Sequence, residues 1–96
     1  MTARAAAERH AEHVVAGDLA SLMGDFAGNA FTQVMNAGGP PQPTTAWSIL
    51  SEEPDGDAVR FHVRYANETE AVELRTAWKQ YDGGAWKVFD IQKVDA

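Results

Sequence analysis

Four side chains in this chain could move a proton near neutral pH: His10, His13, His62 and Asp90. Asp90 is the first candidate. If the last strand turns Trp86 and Val88 inward, a period of two places Asp90 and Gln92 on the same face. A carboxylate in an apolar cavity has its charged form destabilised and so rises toward a useful general-base or general-acid range. A closing hairpin one residue longer or shorter reverses that face, leaving Asp90 as a strand carboxylate paired with Arg75 or Lys93. His10 sits on the flank of an apolar helical stripe and is the second candidate, because an inward imidazole beside Asp90 makes an acid–base pair. His13 points away from that stripe, and His62 shares a face with Arg60 and Arg64, so both are expected as solvated surface groups. His10 and His13 with Glu12 supply too few convergent ligands for a metal site.

The elements that must carry these groups divide the chain in two. Ala3, Ala7, His10, Ala11 and Val14 recur at spacings of three and four, predicting a first helix that stops at Gly17. Asp18 is a candidate N-cap for a second helix, whose stripe is Leu19, Leu22, Met23 and Phe26. A third turn runs from Asn29 through Phe31, Val34 and Met35, and Pro40, Pro41 and Pro43 forbid its continuation. Beyond Pro43 the period becomes two. Strands are expected over Thr44 to Glu52, Ala58 to Ala66, Glu70 to Tyr81 and Trp86 to Val94. Turns are expected at Glu53-Pro54-Asp55-Gly56, Asn67-Glu68 and Asp82-Gly83-Gly84. The expectation is an α+β fold in one domain spanning residues 1–96, with two to three N-terminal helices covering one face of a curved four-stranded antiparallel meander.

On that meander Phe26, Phe31, Trp47, Phe61, Tyr65 and Trp78 take inward positions. They could wall a cavity for a flat apolar ligand, oriented by Tyr65, Thr76 or Gln80. In a domain of 96 residues most of them must also serve as core. On the outer face Phe89 and Ile91, with Ala77, form an apolar strip that predicts homodimerisation sheet to sheet.

Composition narrows the functions. The net charge is −6, with 8 Lys and Arg scattered among 14 acids, which argues against a nucleic-acid partner. No apolar run is long enough to span a membrane and no export signal opens the chain, so a cytoplasmic location is expected. The chain has no Cys, which excludes thiolate chemistry and disulfides. No cofactor-binding motif is present.

Three stretches resemble the nuclear-transport-factor-two-like superfamily, the fold of ketosteroid isomerases and small polyketide cyclases. They are Val15-Ala16-Gly17-Asp18-Leu19, Leu22 to Phe26, and the closing hairpin Trp78 to Val88, where Gly84-Ala85-Trp86-Lys87-Val88 is similar to that superfamily's final strand. The chain is short and lacks the hairpin that members often carry between the second and third helices. The resemblance implies a cystatin-like cone or half-barrel, often dimeric, with a cavity between helices and sheet. Its members include isomerases, cyclases, dehydratases, hydrolases and binding modules, and several of the enzymes use an inward carboxylate. Two readings follow: a protein that binds a small apolar or aromatic molecule, and an isomerase- or cyclase-type enzyme using Asp90 or His10 for proton transfer.

Overall fold

The computed structural model describes residues 2–94. Three helices precede a four-stranded antiparallel sheet: α1 (Ala3–Ala16), α2 (Leu19–Gly24), α3 (Ala30–Ala37), β1 (Ala46–Asp55), β2 (Ala58–Ala66), β3 (Ala71–Gln80) and β4 (Trp86–Lys93). The strands pair in sequence order, β1-β2-β3-β4, so β1 and β4 are the edge strands. The expected α+β architecture, helices on one face of an open antiparallel meander, is the observed one.

α1 is fixed at both ends by local chemistry. Thr2 accepts the Ala5 N–H on its hydroxyl at 3.0 Å, an N-cap of a kind that contributes about 1 kcal/mol. At the other end Gly17 takes φ 68°, while the N–H groups of Gly17 and Asp18 return to the carbonyls of Val14 and His13. That left-handed turn is open to glycine because it has no Cβ. The face α1 buries is Ala3, Ala6, Ala7, His10 and Ala11.

α2 departs from its expected role. Asp18 does cap it, accepting from the backbone N–H and hydroxyl of Ser21. However, the helix contains no buried residue, and Leu19 and Met23 are 58% and 56% exposed. Six residues are too few to carry the stripe as far as Phe26. The chain leaves the helix at Asp25 and instead lays Phe26 parallel to Val88 in a one-residue bridge. Val88 N–H donates to the Asp25 carbonyl and Ala27 N–H to the Val88 carbonyl, both at 2.8 Å. Farther along β4 the Gln33 side-chain oxygen of α3 accepts the Ile91 N–H at 3.1 Å. The free edge of β4 is thus covered by the segment that joins α2 to α3 and by α3 itself.

Two bulges set the faces of the sheet. Between β1 and β2 the register slips at Leu50, which becomes half exposed. Between β3 and β4, Ala77 pairs with Asp90 but Trp78 pairs with Val88, so Phe89 is the extra residue. A bulged residue breaks the two-residue alternation. Trp86 and Val88 therefore pack toward the core, but beyond Phe89 it is Ile91 that enters the core while Asp90 and Gln92 turn to the opposite face. This corrects two expectations. Asp90 does not share the face of Val88, and the outer strip loses Ile91. Phe89 remains there with the Lys79 ammonium 5.1 Å from its ring centre. The first turn is also tighter than expected: Asp55 pairs with Ala58 across Gly56-Asp57, and Pro54 lies within edge strand β1, where a missing donor is tolerated.

The core lies between α1 and the sheet, with Phe61, Tyr65, Leu74, Trp78 and Val88 fully enclosed. Replacing enclosed Leu74 by Ala should remove about 2–5 kcal/mol of stability. The same change at half-exposed Leu50 should remove less than about 0.5 kcal/mol. Urea denaturation of the two variants against the parent measures the difference.

Candidate functional site

The chemistry-bearing cluster of this structure forms around Asp25. Its position follows from the bridge to Val88, which fixes the backbone of residues 25–27 against β4. From there the carboxylate faces α1. Its Oδ2 lies 2.9 Å from His10 Nδ1 and 3.2 Å from His13 Nδ1. His10 and His13 are three residues apart, so one helical face presents both rings to the same oxygen. His10 is 5% exposed and Asp25 8%.

The His10 ring is wedged edge-on between aromatic partners, with its centre 5.4 Å from those of both Phe26 and Trp78. Those contacts leave the imidazole little freedom to rotate. An ionised carboxylate only accepts hydrogen bonds, so Oδ2 selects the tautomer of neutral His10 that carries its proton on Nδ1. The lone pair is then on Nε2. That nitrogen has no hydrogen-bond partner among the described residues. Nor is any buried side-chain nitrogen or oxygen among them left both sealed and unpaired. His10 Nε2 therefore opens onto the cavity that its ring lines.

That cavity encloses about 470 Å³ between the helices and the sheet, within the range of small-molecule sites. Val14, Leu19, Leu22, Phe26, Phe31, Val34 and Met35 supply its helical side; Tyr65, Leu74, Thr76 and Ile91 form its floor. The hydroxyls of Tyr65 and Thr76, together with Gln42, interrupt this apolar lining. Tyr65 makes no hydrogen bond with the described residues, so by the same reasoning its O–H is open to the cavity. The Thr76 hydroxyl accepts from the Trp78 indole N–H at 3.1 Å and retains its own proton to donate.

The electrostatics follow from burial and from the two imidazoles. Burial alone would raise the Asp25 carboxyl, but the hydrogen bonds from His10 and His13, assisted by their charge, outweigh it and hold the group below its ordinary value. Tyr65 is pushed well up, first by burial and then by the nearby negative charge of Asp25. Its hydroxyl stays protonated at any physiological pH and acts as a donor.

Several residues singled out in the sequence fall at this site and others do not. His10, Phe26, Phe31, Tyr65 and Thr76 line the cavity. Phe61 and Trp78 belong to the core beneath it. Trp47 lies in a separate shallow depression with Glu12 and Val15. Exposed Gln80 donates its amide to the Gly84 carbonyl in the closing turn, away from the cavity. Asp90 lines a small polar groove on the other face of the sheet, among Ser51, Glu53, Arg60, His62, Arg75 and Gln92. His62 is indeed on that outer face, where its Nε2 lies 2.6 Å from Glu73. His13, by contrast, is not a solvated surface group, because it is tied to Asp25.

Asp25 itself was not visible to periodicity. Its signal is a lone carboxylate between the apolar residues Leu22 and Phe26, opposite two histidines at helical spacing. Only the tertiary bridge to Val88 joins these facts. Among the described residues no group of three or more His, Asp or Glu is arranged to hold a metal ion; both imidazoles turn onto the carboxylate instead. Among them also, no helix is long and apolar enough to cross a membrane. Comparison with protein-family models, curated proteins and solved structures gives no match.

A depressed carboxyl stabilises the fold above its unfolded value, about 3.9 for Asp, and that contribution disappears as pH falls through the lower folded value. Asp25→Asn should therefore be less stable than the parent near pH 6. The gap should shrink steadily below about pH 4 as the parent's carboxylate is protonated. Thermal unfolding of both proteins between those limits reads the convergence.

Proposed function

We propose that this protein binds a small, flat, largely apolar molecule bearing a carbonyl group, in the cavity beneath α2 and α3. The size and apolar lining of that cavity support the reading, with hydroxyls at only two places on its wall. Tyr65 donates to the carbonyl oxygen and Thr76 offers a second donor. The aromatic rings of Phe26 and Phe31, at 66° with centres 5.6 Å apart, contact the flat body. The resemblance to ketosteroid isomerases and small polyketide cyclases agrees with a cavity ligand of this kind.

One observation favours catalysis over binding alone. His10 Nε2 is the unpaired basic atom of the cavity wall, and the carboxylate that orients its ring lies behind it. In this reading Nε2 takes a proton from the carbon next to the carbonyl. Electron density moves onto the oxygen held by Tyr65, and the imidazolium faces Asp25. Return of the same proton to another carbon of the conjugated system completes an isomerisation, with no bond to the protein formed. General-base assistance of this type contributes about 10²- to 10⁴-fold.

The test uses a panel of flat cyclic ketones, with conjugated and unconjugated isomers, and reads tryptophan emission during titration. Trp78 lies against His10 and reports occupancy. Saturable quenching that weakens several-fold in Tyr65→Phe is the expected result, together with hydrogen–deuterium exchange at the ligand's α-carbon. His10→Gln should slow that exchange by about 10²-fold or more while leaving binding within a few-fold. Binding with exchange that ignores His10→Gln would leave a binding protein without the proposed chemistry. No response across the panel would overturn both readings.

A further inference from the structure

We propose that His13 is a positioning residue for proton transfer at His10, acting through the carboxylate oxygen of Asp25 that both imidazoles share; the proposal deepens the catalytic reading above and rests on it. Both rings use Nδ1, and both reach the same oxygen, at 2.9 and 3.2 Å. The other carboxylate oxygen, Oδ1, has no partner among the described residues. With His10 alone as donor, the carboxylate would be held at one point and free to swing about its last bond. The second N–H, from the adjoining turn of the same rigid helix, closes a triangle of α1, His10–Asp25 and His13–Asp25. A carboxylate so clamped keeps its lone pair on the His10 Nδ1–H, and hence keeps the His10 lone pair on Nε2.

The arrangement also makes the two rings unequal. The two N–H groups share one carboxylate oxygen from different depths of the cluster. The His13 side chain is 24% exposed and that of His10 6%, so solvent reaches His13 more readily. The groups that face the cluster are few. Asp25 comes from the end of α2, and the protonated Tyr65 from β2 senses its charge. Asp18, held low first by Ser21, also senses His13. His13 is thus the outer donor on Asp25 and His10 the inner one. His13 performs this role without lining the cavity.

The experiment is nitrogen-edited NMR of the histidine rings in the ligand-free protein, for the parent, His13→Ala and His13→Gln, followed by the rate of α-carbon exchange on whichever ketone of the panel binds. In the parent, His10 should show a single neutral tautomer with the proton on Nδ1. His13→Ala should mix the tautomers of His10 and lower the exchange rate about 10- to 100-fold with little change in binding, as expected for a misplaced catalytic base. His13→Gln, whose amide can donate to Asp25, should restore the single tautomer and bring the exchange rate back to within a few-fold of the parent. Unchanged His10 spectra in His13→Ala would overturn the proposal, as would a loss of exchange in His13→Gln equal to that in His13→Ala. Should His13→Ala not fold, a mixed tautomer in folded His13→Gln overturns it. The ring spectra need no ligand, so a failure of the cavity to bind any ketone is read separately from a failure of His13 to position His10.

Discussion

Two backbone hydrogen bonds between Asp25–Ala27 and Val88 are the constraint from which the site follows. They place a carboxylate where α1 can reach it, and they seal part of an open sheet edge with the same atoms. An unpaired strand edge is a liability in any small sheet, so the bridge serves stability whether or not a ligand is present. The imidazole–carboxylate cluster is a by-product of where that edge must be covered. Phe26, next in the chain, is carried against His10 by the same attachment.

The bulge at Phe89 makes the complementary choice on the strand itself. Without the extra residue, alternation would carry Asp90 inward beside Val88 and send Ile91 outward. With it, the cavity floor receives an apolar side chain, and Asp90 joins Arg60, Arg75 and His62 on the far face. One inserted residue separates the charged groups of the sheet from the cavity. It leaves His10, from a helix, as the basic side chain that lines the cavity.

The division between what the sequence made legible and what it did not follows this physics. Helix α1 and the strands β2 and β3 were readable because their patterns are local: alanines at three and four, and apolar residues at two. Alternation on the strands places Tyr65 and Thr76 at the cavity; helical stripes place Phe26 and Phe31 there, although Phe26 arrives by its bridge to Val88 and not by α2. The faces of β4 were not readable, since a bulge depends on how two strands share hydrogen bonds and leaves no mark in composition. Asp25 was hidden for a related reason. It ends a helix too short to show a period, and its partners are 15 and 12 residues away on another element. His13 looked solvated because the helical stripe defines a face toward the sheet, whereas Asp25 approaches from beside it.

The shallow attachment of α2 has a kinetic consequence. A helix that buries nothing of its own, flanked by a left-handed Gly17 and packed chiefly against α1, has little to lose by leaving its place. The free energy of opening such a segment belongs at the low end of the range a protein spans, well below that of unfolding the sheet. Leu19 and Leu22, which help close the cavity, travel with it. The mouth of the cavity can therefore loosen on the timescale of a loop, while His10 and Asp25 stay fixed to the slow part of the molecule.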